Sequence, residues 1–256
     1  MALLRAWVLT AVGAAIALTA FAQAPAPSTT QVEAQIADAA NGFRADHGLE
    51  GLVQNRLLTE EARRFAVYLA STGRFSHTAD GREPGERAKA GGYDYCELAE
   101  NIAFEEDNAG IEGERLTRLF MNGWEASPGH RRNLLDPNVT ETGVGVARAP
   151  GSGHRYLAVQ VFGRPISARY RFSIENRADA PVGFTFDGEH REAPPRSTMV
   201  HDTCASGELA FDRDNKADET RFRVTPGATY VVSPVRLGVH IAIQRETRRT
   251  GRGDED

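Results

Sequence analysis

The sequence has few cysteines and no excess of positive charge. Its 256 residues contain two cysteines, so at most one intramolecular disulfide can form. Acidic residues outnumber basic ones by 35 to 30, and the formal net charge is −5. A chain without a basic excess lacks the electrostatic field that holds phosphate backbones. We therefore expect no nucleic acid among its partners.

Long apolar runs are absent after the first 24 residues. No later segment approaches the ~18 continuous apolar residues of a membrane helix, so we expect no transmembrane anchor. In residues 1–24, Arg5 precedes an apolar run, and small residues follow the run. This pattern is typical of a secretory signal peptide, with cleavage after Ala22 or Ala24. An uncleaved anchor is the alternative, although the run is short for a membrane span. We predict a soluble protein that is secreted or periplasmic.

The remaining chain is long enough for one large or two small domains. Residues 25–30, PAPSTT, cannot bury a core and are predicted to form a short linker. Residues 31–165 mix helical and strand patterns, whereas residues 167–245 show only short alternating runs. Residues 246–256 are polar and are predicted to be disordered.

The pattern of residues 31–165 predicts helices around a sheet. Apolar residues recur at helical spacing in three longer segments, and the second of these is expected to begin at Thr59 as its N-cap. The order helix, helix, strand, helix, strand, strand is typical of an α/β or α+β fold. The predicted elements are helices over 30–47, 59–71, 83–90 and 110–127, and strands over 96–104, 141–150 and 155–165.

The pattern of residues 167–245 predicts a small β domain. Apolar and polar residues alternate over Tyr170–Glu175, Val182–Phe186 and Leu237–Ile243, and turn residues separate these runs. About seven short strands are expected, which favours an all-β sandwich or barrel.

Cys96 and Cys204 are the candidate disulfide. An exported chain meets an oxidising environment, in which the two thiols can pair. The bridge would close a loop of 108 residues and contribute about 4 kcal/mol in the chain-entropy model. Two buried free thiols are the alternative.

The stretch GWEASPGHRRNLLDP places a histidine where a helix should begin. Ser127 is a good N-cap, Pro128 suits the first helical position and His130 falls on the third. The helix dipole opposes a positive ring there, so we expect a neutral imidazole able to ligate a metal or accept a proton. In the simpler interpretation, His130 only forms a hydrogen bond with the edge of the sheet. Ser127 is a poor candidate nucleophile, because its hydroxyl should cap the helix and no Gly-x-Ser-x-Gly elbow is present.

His77 and Glu100 are the other candidates for chemistry. A glutamate flanked by Ala99 and Ile102 is costly to bury unless it is paired. If His77, Glu100 and His130 meet, they form a cleft that could hold Zn²⁺ or another divalent cation with an open position. They could equally form a hydrogen-bonded acid and base cluster, or Glu100 could only neutralise Arg131 or Arg132. The spacings match no contiguous zinc signature.

Two segments together resemble a known family. FSHTADGREPGERAKAGGYDYCELAENIA, followed by MNGWEASPGHRRNLLDPNVTETGVGVA, is similar to the bacterial branch of the CAP superfamily, whose SCP-like domain is shared by cysteine-rich secretory, antigen 5 and plant pathogenesis-related proteins. The resemblance covers residues 31–165. It implies a three-layer α-β-α sandwich, followed here by the small all-β domain.

The resemblance also implies a cleft with two histidines and two acidic residues. His77 and His130 match the histidines, and Glu100 matches the glutamate of the ENI motif. Where eukaryotic members of the family tend to have the second glutamate, this chain has Ser127. The acidic partner is therefore missing or supplied by Glu125 or Glu86, and Ser127 itself is a possible fourth cleft group.

Three functions are compatible with these observations. The first is a secreted or periplasmic binding protein, not an enzyme, whose cleft holds a lipid, peptide or glycan at the cell envelope, with or without a divalent cation. The second is a metal-assisted hydrolase of envelope peptide or glycan, with His77 and His130 as ligands and Glu100 as ligand or general base. The third is a structural protein that binds an envelope or protein partner through its β domain.

Overall fold

The computed structural model describes residues 28–245, except 109, 112, 152–153, 206, 213–219 and 237. The predicted signal peptide, residues 25–27 of the linker and the predicted disordered tail lie outside the described residues. The elements of the N-terminal part are α1 (Thr29–Asp46), β1 (Val53–Gln54), α2 (Arg56–Thr72), α3 (Pro84–Ala90), β2 (Tyr95–Glu106), α4 (Gly113–Ala126), α5 (Pro128–Leu134), β3 (Glu141–Arg148) and β4 (Arg155–Pro165). Residues 29 and 30 therefore belong to the first helix and not to a linker.

Helix α2 starts and stops at residues with clear local signals. The Asn55 side chain accepts hydrogen bonds from the amides of Leu57 and Leu58, so Asn55 is the N-cap. The prediction of Thr59 as the cap was wrong, because its hydroxyl lies inside the helix and donates to the Asn55 carbonyl. Gly73 ends the helix in a left-handed conformation with φ of 70°, as glycine allows at this position.

Four strands form the central sheet in the order β1-β3-β4-β2. β1 pairs with β3 in parallel, and the other pairs are antiparallel. Along β4 the side chains alternate between two cores, with Tyr156, Ala158 and Phe162 on one face and Leu157, Val159 and Val161 on the other. Both faces of the sheet are therefore buried, which makes the three layers.

Helices cover both faces of the sheet, and α2 lies very close to β3. α1 and α4 cover the face that carries Tyr156, and α2 covers the opposite face. At Gly143 and Gly145 of β3, an added Cβ would lie 2.2 Å from the α2 backbone. Glycine is thus required in the GVG segment for α2 to contact the strand.

Helix α5 begins at Pro128, as the sequence predicts, but Ser127 does not cap it with its side chain. The Ser127 backbone is extended, and its hydroxyl makes no capping hydrogen bond. The expectation that the hydroxyl binds the helix amides was wrong. Pro128 has no N–H, so one fewer amide of the first turn requires a partner.

The C-terminal part is a β sandwich of two four-stranded sheets. Their orders are β10-β9-β6-β7 and β12-β11-β5-β8, and phenylalanine, tyrosine and valine side chains fill the space between them. The described residues thus contain eight strands in place of the seven expected. They are β5 (Tyr170–Asn176), β6 (Val182–Phe186), β7 (Glu189–Ala193), β8 (Ser197–Thr203), β9 (Glu208–Phe211), β10 (Thr220–Arg223), β11 (Ala228–Val235) and β12 (Gly238–Arg245).

A disulfide joins the two parts of the chain. Cys96 on β2 is bonded to Cys204, which follows β8, with 5.8 Å between their Cα atoms. This confirms the predicted pairing. The Ile166 amide also donates to the Asp94 carbonyl, which fixes the start of the connection after β4. In the described part of the chain, no helix has the length and apolar character needed to cross a membrane.

Candidate functional site

Strand β2 and the loop after α2 place His77 and Glu100 side by side. The Glu100 side chain is 1% exposed, and its Oε1 lies 2.8 Å from His77 Nδ1. Its other oxygen, Oε2, accepts a hydrogen bond from Arg87 Nη2 at 2.5 Å. The buried carboxylate therefore has a partner on each oxygen, which offsets the cost of burying it. The cation that neutralises it is Arg87, and not Arg131 or Arg132.

Arg87 of α3 connects the site to three other segments. Its Nε donates to Glu61 Oε1 at 2.8 Å, and its Nη1 donates to the carbonyls of His77 and Arg82 at 2.7 and 2.9 Å. Nη1 also lies 3.2 Å from Asp80 Oδ1. The guanidinium thereby fixes the loop that carries His77 against α2 and β2.

Phe65 and Glu61 of α2 complete the surroundings of this guanidinium. The Phe65 ring packs against it, with 3.5 Å between the ring centroid and Cζ of Arg87. Glu61 is 3% exposed at its side chain, and its Oε2 has no hydrogen-bond partner. Burial raises the pKa of Glu61 to about 7, while the hydrogen bond from Arg87 opposes this shift. Two buried carboxylates, Glu61 and Glu100, thus share one cation.

His130 approaches the cluster from α5. The Asn101 side chain donates to the His130 carbonyl at 3.2 Å, and Asn133 donates to the Glu100 carbonyl and to Asn101 Oδ1 at 3.3 and 2.9 Å. These contacts tie α5 to β2. Burial lowers the pKa of His130, and the nearby charge of His77 lowers it further. A neutral ring was expected here from the helix dipole, and burial favours the same form.

An open cleft of about 520 Å³ lies beside His77 and Glu100. Glu86, one candidate for the fourth group, lines it and accepts a hydrogen bond from the Glu83 amide at 2.8 Å. His130, Ser127 and Glu125 are not part of the lining. The residues that line the cleft are His77, Glu83, Pro84, Gly85, Glu86, Tyr95, Leu98, Ala99, Glu100 and Asn133.

The side chains of the cluster offer few free ligands for a metal ion. Both oxygens of Glu100 are engaged, one by His77 and one by Arg87. Among the described residues, no three His, Cys, Asp or Glu side chains are grouped to hold a metal ion. Neither a closed zinc site with four protein ligands nor an open one with three therefore matches this arrangement. A cation bound here would have to rely on the imidazoles of His77 and His130, with Glu100 orienting His77 from behind.

The three-layer sandwich is the fold that the resemblance to SCP-like domains implies. The CAP family, described as the cysteine-rich secretory protein family, matches residues 37–162. This part of the chain belongs to that family, as the sequence motifs predict.

Two curated relatives each match 122 residues of this chain. An uncharacterized protein of Bacillus subtilis, YkwD, is 30% identical over 122 residues, which are 47% of this chain and 44% of the relative. The uncharacterized membrane protein YlbC of the same organism is 32% identical over 122 residues, 46% of this chain and 32% of the relative. The chain thus spans less than half the length of these curated relatives.

Among solved structures, an extracellular protein of Bacillus anthracis that contains an SCP domain is 27% identical. The match covers 53% of this chain and 41% of that one, with a TM-score of 0.44. An outer surface protein of Borrelia burgdorferi is 19% identical, with a TM-score of 0.47 over 54% of this chain and 96% of that one.

Sequence reasoning missed Arg87 and Glu61. Glu61 falls on the buried face of α2, one residue before Ala62 and four before Phe65. A charged residue within this apolar stripe is unusual and could have identified Glu61 from the sequence. Arg87 carries no comparable signal, because α3 has only seven residues and its partners are distant in sequence.

Proposed function

We propose that this chain is an exported protein of the cell envelope that binds a ligand in the cleft lined by His77 and Glu100. The observation that carries the proposal is the pairing of Glu100 with both His77 and Arg87. It holds a half-exposed imidazole, 46% exposed at its side chain, in one orientation at the wall of an open cleft. A fixed polar group beside a cavity is a common arrangement in binding sites.

Binding is favoured over hydrolysis by the state of Glu100. A general base must be free to accept a proton from the attacking group. Both Glu100 oxygens already accept hydrogen bonds, and the side chain is 1% exposed. Glu100 therefore suits a supporting role, in which it orients His77, better than that of a base acting on a substrate.

A divalent cation at His77 and His130 is a second candidate, favoured by one specific contact. His77 uses Nδ1 to bond Glu100. A histidine that ligates a metal commonly has its other ring nitrogen bonded to a carboxylate in this way. A cation bound by the two imidazoles would provide a positive charge for an anionic part of the ligand.

The proposed location outside the cytoplasm has three supports. The first 24 residues have the pattern of a secretory signal peptide. The matched family takes its name from secretory proteins. The disulfide between Cys96 and Cys204 requires an oxidising environment to persist.

The test is an NMR titration of the exported chain with three probes: soluble peptidoglycan fragments, phospholipid bicelles and a basic extended peptide. We expect one probe to shift the amide signals of His77, Glu100 and Asn133. The shifts should disappear in His77→Ala and persist in His240→Ala, which removes an exposed histidine of β12. Shifts confined to residues 167–245 would overturn the proposal and favour a partner bound by the β sandwich.

A further inference from the structure

The edge of strand β2 forms part of the cleft. Among the described strands, β2 lies at one end of the sheet order β1-β3-β4-β2 and pairs only with β4. One row of its backbone N–H and C=O groups therefore faces away from the sheet.

The residues lining the cleft show which side of β2 it follows. Leu98, Ala99 and Glu100 are consecutive, and the side chains of consecutive strand residues point to opposite faces of a sheet. A cavity on one face would be lined by every second residue. A cavity lined by three in a row must run along the strand edge, between the loop of His77 and helix α5.

The length of free edge is set by α5. Asn133 already donates to the Glu100 carbonyl at 3.3 Å, so the edge is occupied from Glu100 onward. The regular part of the strand before this point is Glu97–Ala99, because the pairing with β4 shifts register between Tyr95 and Glu97. Leu98 and Ala99 of this part line the cleft. Three strand residues span roughly 10 Å, which accommodates a short extended segment.

The charge at the rim of the cleft is negative. Glu83 and Glu86 both line it, and neither has a basic partner among the ion pairs formed by the described residues. The deeper Glu100 is neutralised by Arg87, which Glu61 also shares. One cation, Lys89, lies over the Tyr95 ring at 5.1 Å and offsets part of this charge.

We propose that the cleft binds a basic peptide segment in extended conformation, which adds as a strand to the edge of β2 at Glu97–Ala99. Backbone hydrogen bonds to the edge supply affinity, and the carboxylates of Glu83 and Glu86 select lysine or arginine side chains. This inference rests on the proposed function, because it names the ligand class for the same cleft.

The first part of the test uses labelled peptides of about eight residues and the exported chain with its disulfide intact. The peptides are an alternating lysine and valine sequence, its acidic counterpart with glutamate, and the lysine peptide methylated on alternate backbone nitrogens. Fluorescence anisotropy should show binding of the lysine peptide, weaker binding of the glutamate peptide and none of the methylated one. Amide hydrogen exchange at Leu98, whose N–H lies in the same outward row as the Glu100 carbonyl, should slow when the lysine peptide is bound.

The second part tests the charge selection. The double variant Glu83→Gln with Glu86→Gln keeps a hydrogen-bond acceptor at both positions, and it should weaken lysine-peptide binding roughly three- to tenfold. Glu50→Gln with Glu192→Gln makes the same change of charge at exposed positions outside the cleft and should leave binding unchanged.

Three outcomes overturn the inference: equal binding of the methylated peptide, equal binding of the acidic peptide, or an amide of Leu98 that stays unprotected. If peptidoglycan fragments or bicelles shift His77 while no peptide does, the cleft is a ligand site of another class and only this inference fails. If no probe affects the cleft, the proposed function fails with it.

Discussion

Glu61 and Glu100 share one guanidinium: Arg87 donates from Nε to the first and from Nη2 to the second, at 2.8 and 2.5 Å. The two carboxylates come from α2 and β2, so the shared cation fastens a helix to the edge strand of the sheet. With both carboxylates ionised, one buried cation would leave an excess of negative charge, and burial raises the pKa of Glu61 to about 7.

Replacing Arg87 by methionine should be strongly destabilising. The change leaves Glu61 and Glu100 buried without their cation, which costs about 3–5 kcal/mol when one partner of a buried pair is removed. Urea unfolding at neutral pH should show this loss. Arg82→Met is the matched control, because Arg82 is 54% exposed at its side chain and its ion pair with Asp80 should contribute about 0–1 kcal/mol. Equal losses in the two variants would contradict a buried network centred on Arg87.

Glu61 should make the free energy of unfolding depend on pH. Burial raises its pKa from 4.5 to about 7, so between these values the folded protein holds a proton that the unfolded chain releases. The free energy of unfolding contributed by Glu61 therefore falls as pH rises through this window, by at most about 1.4 kcal/mol per pH unit. The side chain of Glu61→Gln cannot ionise, so the free energy of unfolding of this variant lacks this dependence on pH.

The measurement is urea unfolding of the wild type and Glu61→Gln at several pH values from about 4.5 to about 8. The wild type should lose stability relative to the variant as pH rises, because other groups titrate equally in both. A difference that stays constant across the range would show that Glu61 keeps an ordinary pKa.

Much of the fold was predictable because its signals are local. The apolar stripe of α2, the glycine after it and the Ser-Pro start of α5 each depend on a few neighbouring residues. The first core helix, the long β2 strand and the β3 and β4 pair were found within a few residues of their observed bounds. Asn55 could have been recognised as a cap, since asparagine is among the strongest N-cap residues.

The parts that sequence reasoning missed depend on contacts between distant residues. Glu100 follows Arg87 by 13 residues and Glu61 precedes it by 26, and no periodic pattern links the three. The two-residue strand β1 is too short for any alternation to be visible and exists only through its pairing with β3. The eighth strand of the β sandwich was likewise not resolved by alternation alone.

The disulfide should stabilise the chain through the loop that it closes. Cys96 and Cys204 are separated by 108 residues, for which the chain-entropy model gives about 4–5 kcal/mol. Cys96→Ser with Cys204→Ser should therefore unfold at lower urea concentration than the oxidised wild type. Reductant should bring the wild type to the same midpoint and leave the double variant unchanged. A wild type that does not respond to reductant would show that the bridge contributes little.

The pKa of His130 should lie below the ordinary histidine value of 6.5, and the pKa of His190 should lie above it. Burial, followed by the charge of His77, lowers the pKa of His130 below 6.5. The hydrogen bond with Asp212 raises the pKa of His190 above 6.5. A proton NMR titration of the ring signals should show this order, and His77→Gln should raise the His130 midpoint without moving that of His190. A His130 midpoint that does not respond to His77→Gln would mean that the two rings do not interact.

Zinc calorimetry on the metal-stripped exported chain tests the cation candidate. If the imidazoles of His77 and His130 hold a divalent cation, the wild type should bind at a single site near neutral pH. His77→Ala and His130→Ala should both abolish binding, because each removes half of the protein ligands. Glu100→Gln should weaken it about 10- to 100-fold, as loss of a carboxylate behind a ligating histidine commonly does. His240→Ala is the matched control and should bind as the wild type does. Binding that survives both cleft substitutions would place the cation elsewhere, and the ligand would then have to be recognised by the cleft without metal.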